Sequence, residues 1–409
     1  MIIKPQTIKY LPNADGIPDP SVGIDIDWRM IERAYDRLKI PDRFHRPKMD
    51  GIEHLGYIID MSDRSRGKTT NKLILGLLLY WAYGIQLHYI VHSKNQCEPR
   101  EIRDLYRTVI SNGYIEQITG GKYNNIAYRG RRWNLLMLDD DGHVLEQDPD
   151  ACCVCFGLDD APKRKSIYNA PLGDMIFFDE FITTETNWDD YKNFSDLCKT
   201  IIRDRKSPII YMSANTIDKN THWFDDLCIR DQVEKMNPGD HIETITDLGT
   251  HIYIEILSHE TSMQRQDVNR RFFGFRTAQL GAITGKGDWT TDDYPHIPSQ
   301  KDDAVRVLHN AVFVQRGSKL AKLQLVQSRI RGICVHVMPA TRTYDDSIIF
   351  TADDLADDRY VFGFGKQTTV GAYWDLYMQG RFWYSDNAVG AFIKSYVSFV
   401  NSRISAMRR

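Results

Sequence analysis

The sequence predicts an α/β protein in which a domain with a central parallel sheet is followed by a smaller α/β domain. Three observations carry this. From about residue 55, strand-like and helix-like stretches alternate as "LGYIIDM", "GKTTNKLILGLLLYWAYG", "QLHYIVHS" and "EPREIRDLYRTVISNGY". Strand-helix-strand at this spacing implies right-handed crossovers between parallel strands. Farther along, "DMIFFDEF" and "SPIIYMSAN" are apolar runs with polar ends, as expected of strands covered on both faces. Beyond about Glu260 the periodicity fades, and a second set of strands and helices begins after Ala304.

Size and composition agree with two domains. A chain of 409 residues exceeds the usual reach of one hydrophobic core. With 42% hydrophobic and 26% charged residues it reads as an ordinary globular protein. The formal net charge of −3 excludes a uniformly basic nucleic-acid binder, so any DNA contact must be local. No apolar run approaches the roughly 20 residues that cross a bilayer. "MIIKPQTIKYLPNADG" lacks the charged-then-apolar order of a secretion signal, and we read the chain as cytoplasmic, without a membrane partner. The seven cysteines, an odd number, argue against a disulfide framework. Cys152, Cys153 and Cys155 sit in "ACCVCFG" with no second half of a zinc site nearby, which reads as a buried strand using Cys as a small hydrophobe.

Four segments follow. Residues 1–50 are an N-terminal extension rich in Pro and Asp, with one helix in "DWRMIERAYDRLKI" whose Trp28, Met30, Ile31, Ala34, Tyr35 and Leu38 share a side. Residues 51–260 form the parallel-sheet domain. In it Pro99 opens a helix, and "NNIAYRGRRWNLLMLDDDGHVLEQ" forms a hairpin with a type I′ turn at Asp141-Gly142. Residues 261–303, with several Gly and two Pro, read as a linker or lid subdomain. Residues 304–409 hold the strands "AVRVLHNAVFVQ" and "GICVHVMPA" and a last helix capped by Ser385 or Asp386.

Ligands of parallel sheets sit at the carboxyl ends of the strands, and the chemistry-bearing residues gather there. "SDRSRGKT" lies between a strand and an apolar helix and matches the phosphate-loop pattern GxxxxGK[ST], except that Ser62 replaces the first glycine. Backbone N–H groups and a helix N-terminus bind phosphate oxygens. The loop Ser62, Asp63, Arg64, Ser65, Arg66, Gly67, Lys68, Thr69 and Thr70 is therefore the candidate nucleotide site. Lys68 reaches the β- and γ-phosphates and the Thr69 hydroxyl ligates Mg²⁺; Asp63 is an awkward neighbour for phosphate. "MIFFDEF" supplies what the loop alone lacks. Its strand delivers Asp179 towards hydrated Mg²⁺, and Glu180 can polarise the attacking water. Read together, loop and strand predict a nucleotide hydrolase, with Ser213 and Asn215 on the next strand as candidate sensors of the γ-phosphate.

Two basic segments lie near these motifs. One holds Lys163, Arg164 and Lys165, the other Lys199, Arg203, Arg205 and Lys206. A cation from a neighbouring subunit can stabilise charge on a transferring phosphoryl group, although charge runs are more often solvated faces.

Six motifs in order resemble one family: "SDRSRGKT", "RKSIYNAPLGDMIFFDEF", "DLCKTIIRDRKSPIIYMSAN", "FFGFRTAQLGAITGKGDW", "IIFTADDLADD" and "YMQGRFWYSDNAVGAFIKSYVSFV". They are similar to those of the genome-packaging ATPases of small protein-primed podophages, relatives of the large-terminase motors of tailed phages, over most of the chain beyond about residue 55. The resemblance implies an additional-strand P-loop ATPase domain, a linker subdomain, and a C-terminal domain similar to a ribonuclease-H-like nuclease that has lost its catalytic acids. It implies ATP and Mg²⁺ as ligands, and a pentameric ring at the portal vertex of an empty prohead that pumps double-stranded DNA inward. A structural RNA is a further candidate partner. The place of action is the host-cell cytoplasm during assembly rather than the mature virion. By position, Lys68 and Thr69 hold phosphate and Mg²⁺, Asp179 is the metal partner, Glu180 the catalytic base, and Arg64 the loop arginine. Arg203 and Lys165 are the candidate trans-acting cations. One residue is missing between Arg203 and "SAN", which leaves Arg205 as an alternative.

Two-metal nuclease cleavage needs three or four converging carboxylates. Here the acids cluster in "YDDS", "TADDLADD", Asp375 and Asp386, while the first strands carry none, so nuclease activity is not expected. Arg316, Lys319, Lys322, Arg329 and Arg331, with Arg403, Arg408 and Arg409, are candidates for contacts with phosphates, or with a portal or RNA partner, that read no sequence, and Lys122, Arg129, Arg131 and Arg132 form a basic hairpin that is a candidate to face a ring's channel. The competing readings are a terminase that both cuts and pumps, and a nucleotide-independent scaffold at the portal.

Overall fold

The computed structural model describes residues 3–62, 66–160, 174–183, 190–206, 208–215, 221, 223–258, 294–297, 306–316, 319–351, 359–360 and 369–407. The chain splits into two compact units. One is Met1–Ile217 with Met236–Glu260, the other Asp218–Lys235 with Thr261–Arg409.

The first unit is built on nine strands: β1 (Tyr57–Met61), β2 (Leu87–Val91), β3 (Asn125–Arg129), β4 (Arg132–Leu138), β5 (Val144–Gly157), β6 (Met175–Asp179), β7 (Ile209–Ala214), β8 (His241–Ile245) and β9 (His251–Ile256). Their order is β3-β4-β5-β2-β6-β7-β1-β9-β8. All neighbours from β5 to β9 pair in parallel, as the apolar runs predict, while β3, β4 and β8 add antiparallel edges. β2 and β7 are buried at every position. The helix after β1, α2 (Lys68–Tyr83), follows α1 (Trp28–Asp36) in sequence and is buried on nearly all sides, from Leu73 through Tyr80. A helix apolar all round belongs inside a protein.

Two local expectations are corrected. The predicted hairpin is two hairpins in series. Its tight turn is Gly130-Arg131, both at positive φ (58° and 66°) as a type I′ turn requires, between the paired Arg129 and Arg132. Asp141-Gly142 sits instead in a longer loop, closed by the Asp139 N–H donating to the His143 carbonyl, with only Gly142 at positive φ. The helix opened by Pro99 breaks into Pro99–Ile102, Arg107–Ser111 and Tyr114–Thr119, with Gly113 in the left-handed region before the last. The first fifty residues hold the expected helix and pack against the domain that follows. Trp28, Ile31, Ala34 and Tyr35 of α1 join the core that holds α2, and the Gln6 N–H donates to the Ala82 carbonyl. The reading of "ACCVCFG" holds: it is the buried end of β5, with the Cys155 thiol donating to Cys97 Sγ at 3.1 Å.

The second unit has six strands: β10 (Arg306–Arg316), β11 (Lys319–Ser328), β12 (Gly332–Ala340), β13 (Ile348–Thr351), β14 (Arg359–Tyr360) and β15 (Phe382–Tyr384). Their order is β14-β13-β10-β11-β12-β15; β10, β11 and β12 are antiparallel and the others add in parallel. The helix Asn387–Met407 packs Phe392, Ile393, Tyr396 and Val397 onto Val312, Leu323 and Val335. Asp386 caps it, accepting from the Val389 N–H at 2.9 Å. Short helices Trp223–Asp226 and Arg230–Lys235 belong to this unit: the Arg316 guanidinium pairs with Asp225, and Lys319 lies 3.0 Å from Glu234. Among the described residues no helix is long and apolar enough to cross a membrane.

Candidate active site

β1, β6 and β7 end side by side, and the chain leaves each of them with a polar residue. After β1, Ser62 is fully buried and its N–H donates to the Ala214 carbonyl at 3.1 Å. Gly67 then turns the chain into α2 at φ 69°, where a Cβ would lie 2.5 Å from Phe44 Cγ. Only glycine fits, for backbone and for space. The N-cap residue is this glycine, which has no side chain to cap the helix, and a helix start of this kind offers its first N–H groups to anions. Lys68 is 5% exposed, and its Nζ donates to Ser62 Oγ at 2.5 Å and to Asn215 Oδ1 at 3.0 Å. The serine that departs from the glycine pattern thus holds the lysine.

At the end of β6, Asp179 Oδ2 accepts from the Thr69 hydroxyl at 2.7 Å and from the Tyr89 hydroxyl at 2.9 Å. Burial pushes the Asp179 carboxyl above its ordinary range, and these two hydroxyls oppose the shift. Glu180 follows at φ 51°, uncommon for a residue with a side chain. Three bonds hold it there. Its N–H donates to Asp179 Oδ1 at 3.1 Å, its carbonyl accepts from His92 Nε2 at 3.0 Å, and its carboxylate accepts from Asn215 Nδ2.

Beneath the loop lies a second buried layer. Asp60 on β1 takes the Ser213 hydroxyl and pairs with Lys72, one turn beyond Lys68. His45 sits 3.6 Å from Asp60 and 3.5 Å from Glu255. Burial, helped by Lys72, Lys68 and Arg66, lowers its pKa to about 2, so these are contacts of a neutral ring. The His45 backbone closes the layer: its N–H donates to the Arg66 carbonyl at 2.6 Å and its carbonyl accepts from Asn71 Nδ2.

Of the residues the sequence proposes, Ser62, Lys68, Thr69, Asp179, Glu180 and Asn215 form one cluster, with Arg66 and Gly67 in its frame and Thr70 half-exposed on the first turn of α2. Asp63, Arg64, Ser65 and Lys165 lie outside the described residues. Arg203 is exposed just beyond the helix Asp190–Ile202, at φ 48°. Arg205 is committed elsewhere, buried against Asp174 at 2.5 Å. Tyr89, Asp60, Lys72 and His45 were not anticipated. The one signal for Asp60 is an acid inside the apolar run "LGYIIDM".

The proposed DNA cations divide. Arg129 and Arg132 are exposed at a hairpin tip, whereas Arg131 pairs with Asp160. Arg316 is buried with Asp225 and the Ser395 hydroxyl, so it does not belong to a basic surface. Lys322 and Arg331 lie over the rings of Tyr344 and Trp383, at 4.9 and 4.2 Å. Arg408, Arg409 and the side chain of Arg403 are outside the described residues.

A parallel sheet whose strand ends gather these residues has counterparts among solved structures. In fold, the chain matches phage DNA-packaging motors. The Phi-28 gp11 DNA packaging motor aligns with a TM-score of 0.50 at 13% identity, over 88% of this chain and 98% of its own. A chain of the bacteriophage Phi-29 viral genome packaging motor assembly aligns with a TM-score of 0.51 at 15% identity, over 88% of this chain and all of its own. No family model and no curated protein matches by sequence. The match to the motors spans both units, so the mixed α/β architecture with a second, smaller sheet is common to them.

Proposed function

We propose that this chain is a DNA-packaging ATPase: it hydrolyses ATP to move double-stranded DNA into an empty prohead, working as a homomeric, pentameric ring at the portal vertex. The observation that carries the reading is the contact set Lys68–Asn215–Glu180 beside Thr69–Asp179, at the end of a sheet whose fold is shared with packaging motors. Action in the host-cell cytoplasm during assembly, and docking helped by a structural RNA, belong to the same proposal.

The residues divide the work. The N–H groups at the start of α2 and the Lys68 ammonium bind the β- and γ-phosphates. The Thr69 hydroxyl and the Asp179 carboxylate suit Mg²⁺, a hard cation that takes oxygen ligands and neutralises phosphate charge. Glu180 takes a proton from the attacking water, and its three anchors keep the carboxylate aimed. Arg203 is exposed, as a cation serving a neighbouring subunit must be. Grip on DNA through phosphates would be sequence-independent, and Lys122, Arg129, Arg132 and Arg329 are exposed candidates.

The described strands of the second unit, from β10 to β13, hold no Asp or Glu, and Asp386 is spent as a helix cap. This supports a vestigial nuclease-like domain over an active one.

The test is ATP turnover by wild-type, Lys68→Ala and Glu180→Ala proteins, with and without double-stranded DNA. DNA should stimulate the wild type. Lys68→Ala should lose nucleotide binding, and Glu180→Ala should bind ATP but turn it over about 100-fold or more slowly. Equal turnover by wild type and Glu180→Ala sinks the assignment.

A further inference from the structure

At the opposite end of β1 from the nucleotide loop, three side chains converge that the proposed reaction does not use. His54 precedes β1, Glu243 lies on β8, and His251 opens β9. His54 Nε2 is 2.5 Å from Glu243 Oε1, and the two imidazole rings meet edge-on with centroids 5.2 Å apart. One ligand atom from each of the three lies within 4.8 Å of the others. The hairpin explains the meeting. Glu243 pairs with Tyr253, so His251, two residues away on β9, is its diagonal neighbour on the same face. The Gly56 N–H donates to the His251 carbonyl at 3.0 Å, which brings the His54 segment alongside.

A second observation points to a ligand. His251 Nδ1 is buried and has no hydrogen-bond partner among the described residues. A buried ring nitrogen without a partner is costly, whereas a metal ion bonds such a nitrogen through its lone pair.

We propose that His54, Glu243 and His251 bind one divalent cation of the zinc class and so clip the β8–β9 edge hairpin to the segment that enters β1. Two imidazoles and one carboxylate suit Zn²⁺, Co²⁺ or Ni²⁺, whereas Mg²⁺ prefers an all-oxygen shell. In a tetrahedral site, ligand atoms each about 2 Å from the ion lie about 3.3 Å apart, so the widest pair of the three must close by at most about 1.5 Å. His54 and Glu243 are exposed, which gives an ion direct entry and leaves water as the remaining ligand. The site is independent of the ATPase assignment and stands or falls separately.

The experiment uses the full chain, stripped of metal by a chelator and free of nucleotide. Zn²⁺ is titrated in competition with a chromophoric chelator, Co²⁺ by its visible absorption, and the thermal midpoint is followed with and without Zn²⁺. One ion per chain is expected, raising the midpoint, and millimolar Mg²⁺ should not displace it. His54→Ala and His251→Ala should each weaken Zn²⁺ binding at least about 100-fold, since even outer-shell partners of a metal are worth 10–100-fold. Should His251→Ala fail to fold, Glu243→Gln at its exposed position decides by the same loss of affinity and midpoint shift. Absence of stoichiometric binding overturns the proposal. So does binding that survives in the variants, which would locate the ion on cysteines or other histidines.

Discussion

Asn215 carries one amide with two duties. Its oxygen accepts from Lys68 and its nitrogen donates to Glu180, so it joins the proposed phosphate-binding cation to the proposed base. Asn215→Ala should lower turnover on the order of 10- to 100-fold through a less well aimed Glu180. ATP binding, measured by a fluorescent analogue, should change little because Lys68 keeps Ser62. A different residue sets a pH dependence. Burial, reinforced by neighbouring Asp225, raises the Asp226 pKa from 3.8 to about 6. Between those values the folded state holds the proton more tightly than the unfolded one. Its stabilising effect is therefore complete below pH 3.8 and lost as pH rises through about 6. Asp226→Asn removes the ionisation and should stabilise the protein by about 1 to 2 kcal/mol at pH 7.5. At pH 3.5 it should do almost nothing, and thermal melts at the two pH values check this.

Elements, rather than motifs, decide which arginine can act. The helix Asp190–Ile202 ends in two arginines with opposite fates: Arg203 exposed, Arg205 buried on Asp174. Arg205→Ala should cost about 3 to 5 kcal/mol, because it strands a buried carboxylate. Arg203→Ala, at an exposed position, should cost the melt far less than Arg205→Ala and remove turnover. At the start of α2, Gly67→Ala meets both a left-handed backbone and the Phe44 ring. It should abolish ATP binding and lower the thermal midpoint, where an ordinary exposed Gly→Ala would be neutral or better.

These elements also show what a sequence can and cannot reveal. Lys68, Thr69, Asp179 and Glu180 were legible because each sits within a residue or two of a strand or helix end, where local pattern fixes position. Tyr89, Asp60, Lys72 and His45 were not, since their roles depend on which strands become neighbours, and that is a non-local choice. The two hairpins misled for a related reason: Asp-Gly is the stronger turn signal, yet Gly130-Arg131 makes the tight turn because the flanking pairs Arg129–Arg132 and Tyr128–Trp133 set the register there. Arg316 looked like part of a basic surface until Asp225, about 90 residues upstream, neutralised it inside the fold.

At the scale of the whole molecule, the prediction concerns copies of it. If Arg203 serves a neighbour's site, Glu180→Ala and Arg203→Ala proteins are each inactive alone. Mixed, they should regain part of the DNA-stimulated turnover, because some interfaces then pair an intact base with an intact arginine. Turnover that stays at the sum of the separate proteins would place the completing cation elsewhere.

The place of β1 in its sheet has a consequence for how the protein is made. β1 lies between β7 and β9 and is not paired with β2, the strand that follows it in sequence. Asp60 meets Ser213 153 residues later, and Met61 meets Ile256 later still. At a ribosomal pace of about 5–20 residues per second, β1 waits roughly 10 to 40 seconds for its second partner to emerge. Until β7 emerges "YIIDM" is a nascent strand with both edges bare, and until β9 follows one edge stays bare, a form open to wrong pairing. A translational pause between residues 61 and 251 would lengthen the exposure, and one beyond residue 256 would shorten nothing. Synonymous codon changes in the first stretch should therefore alter the soluble yield of an otherwise identical protein.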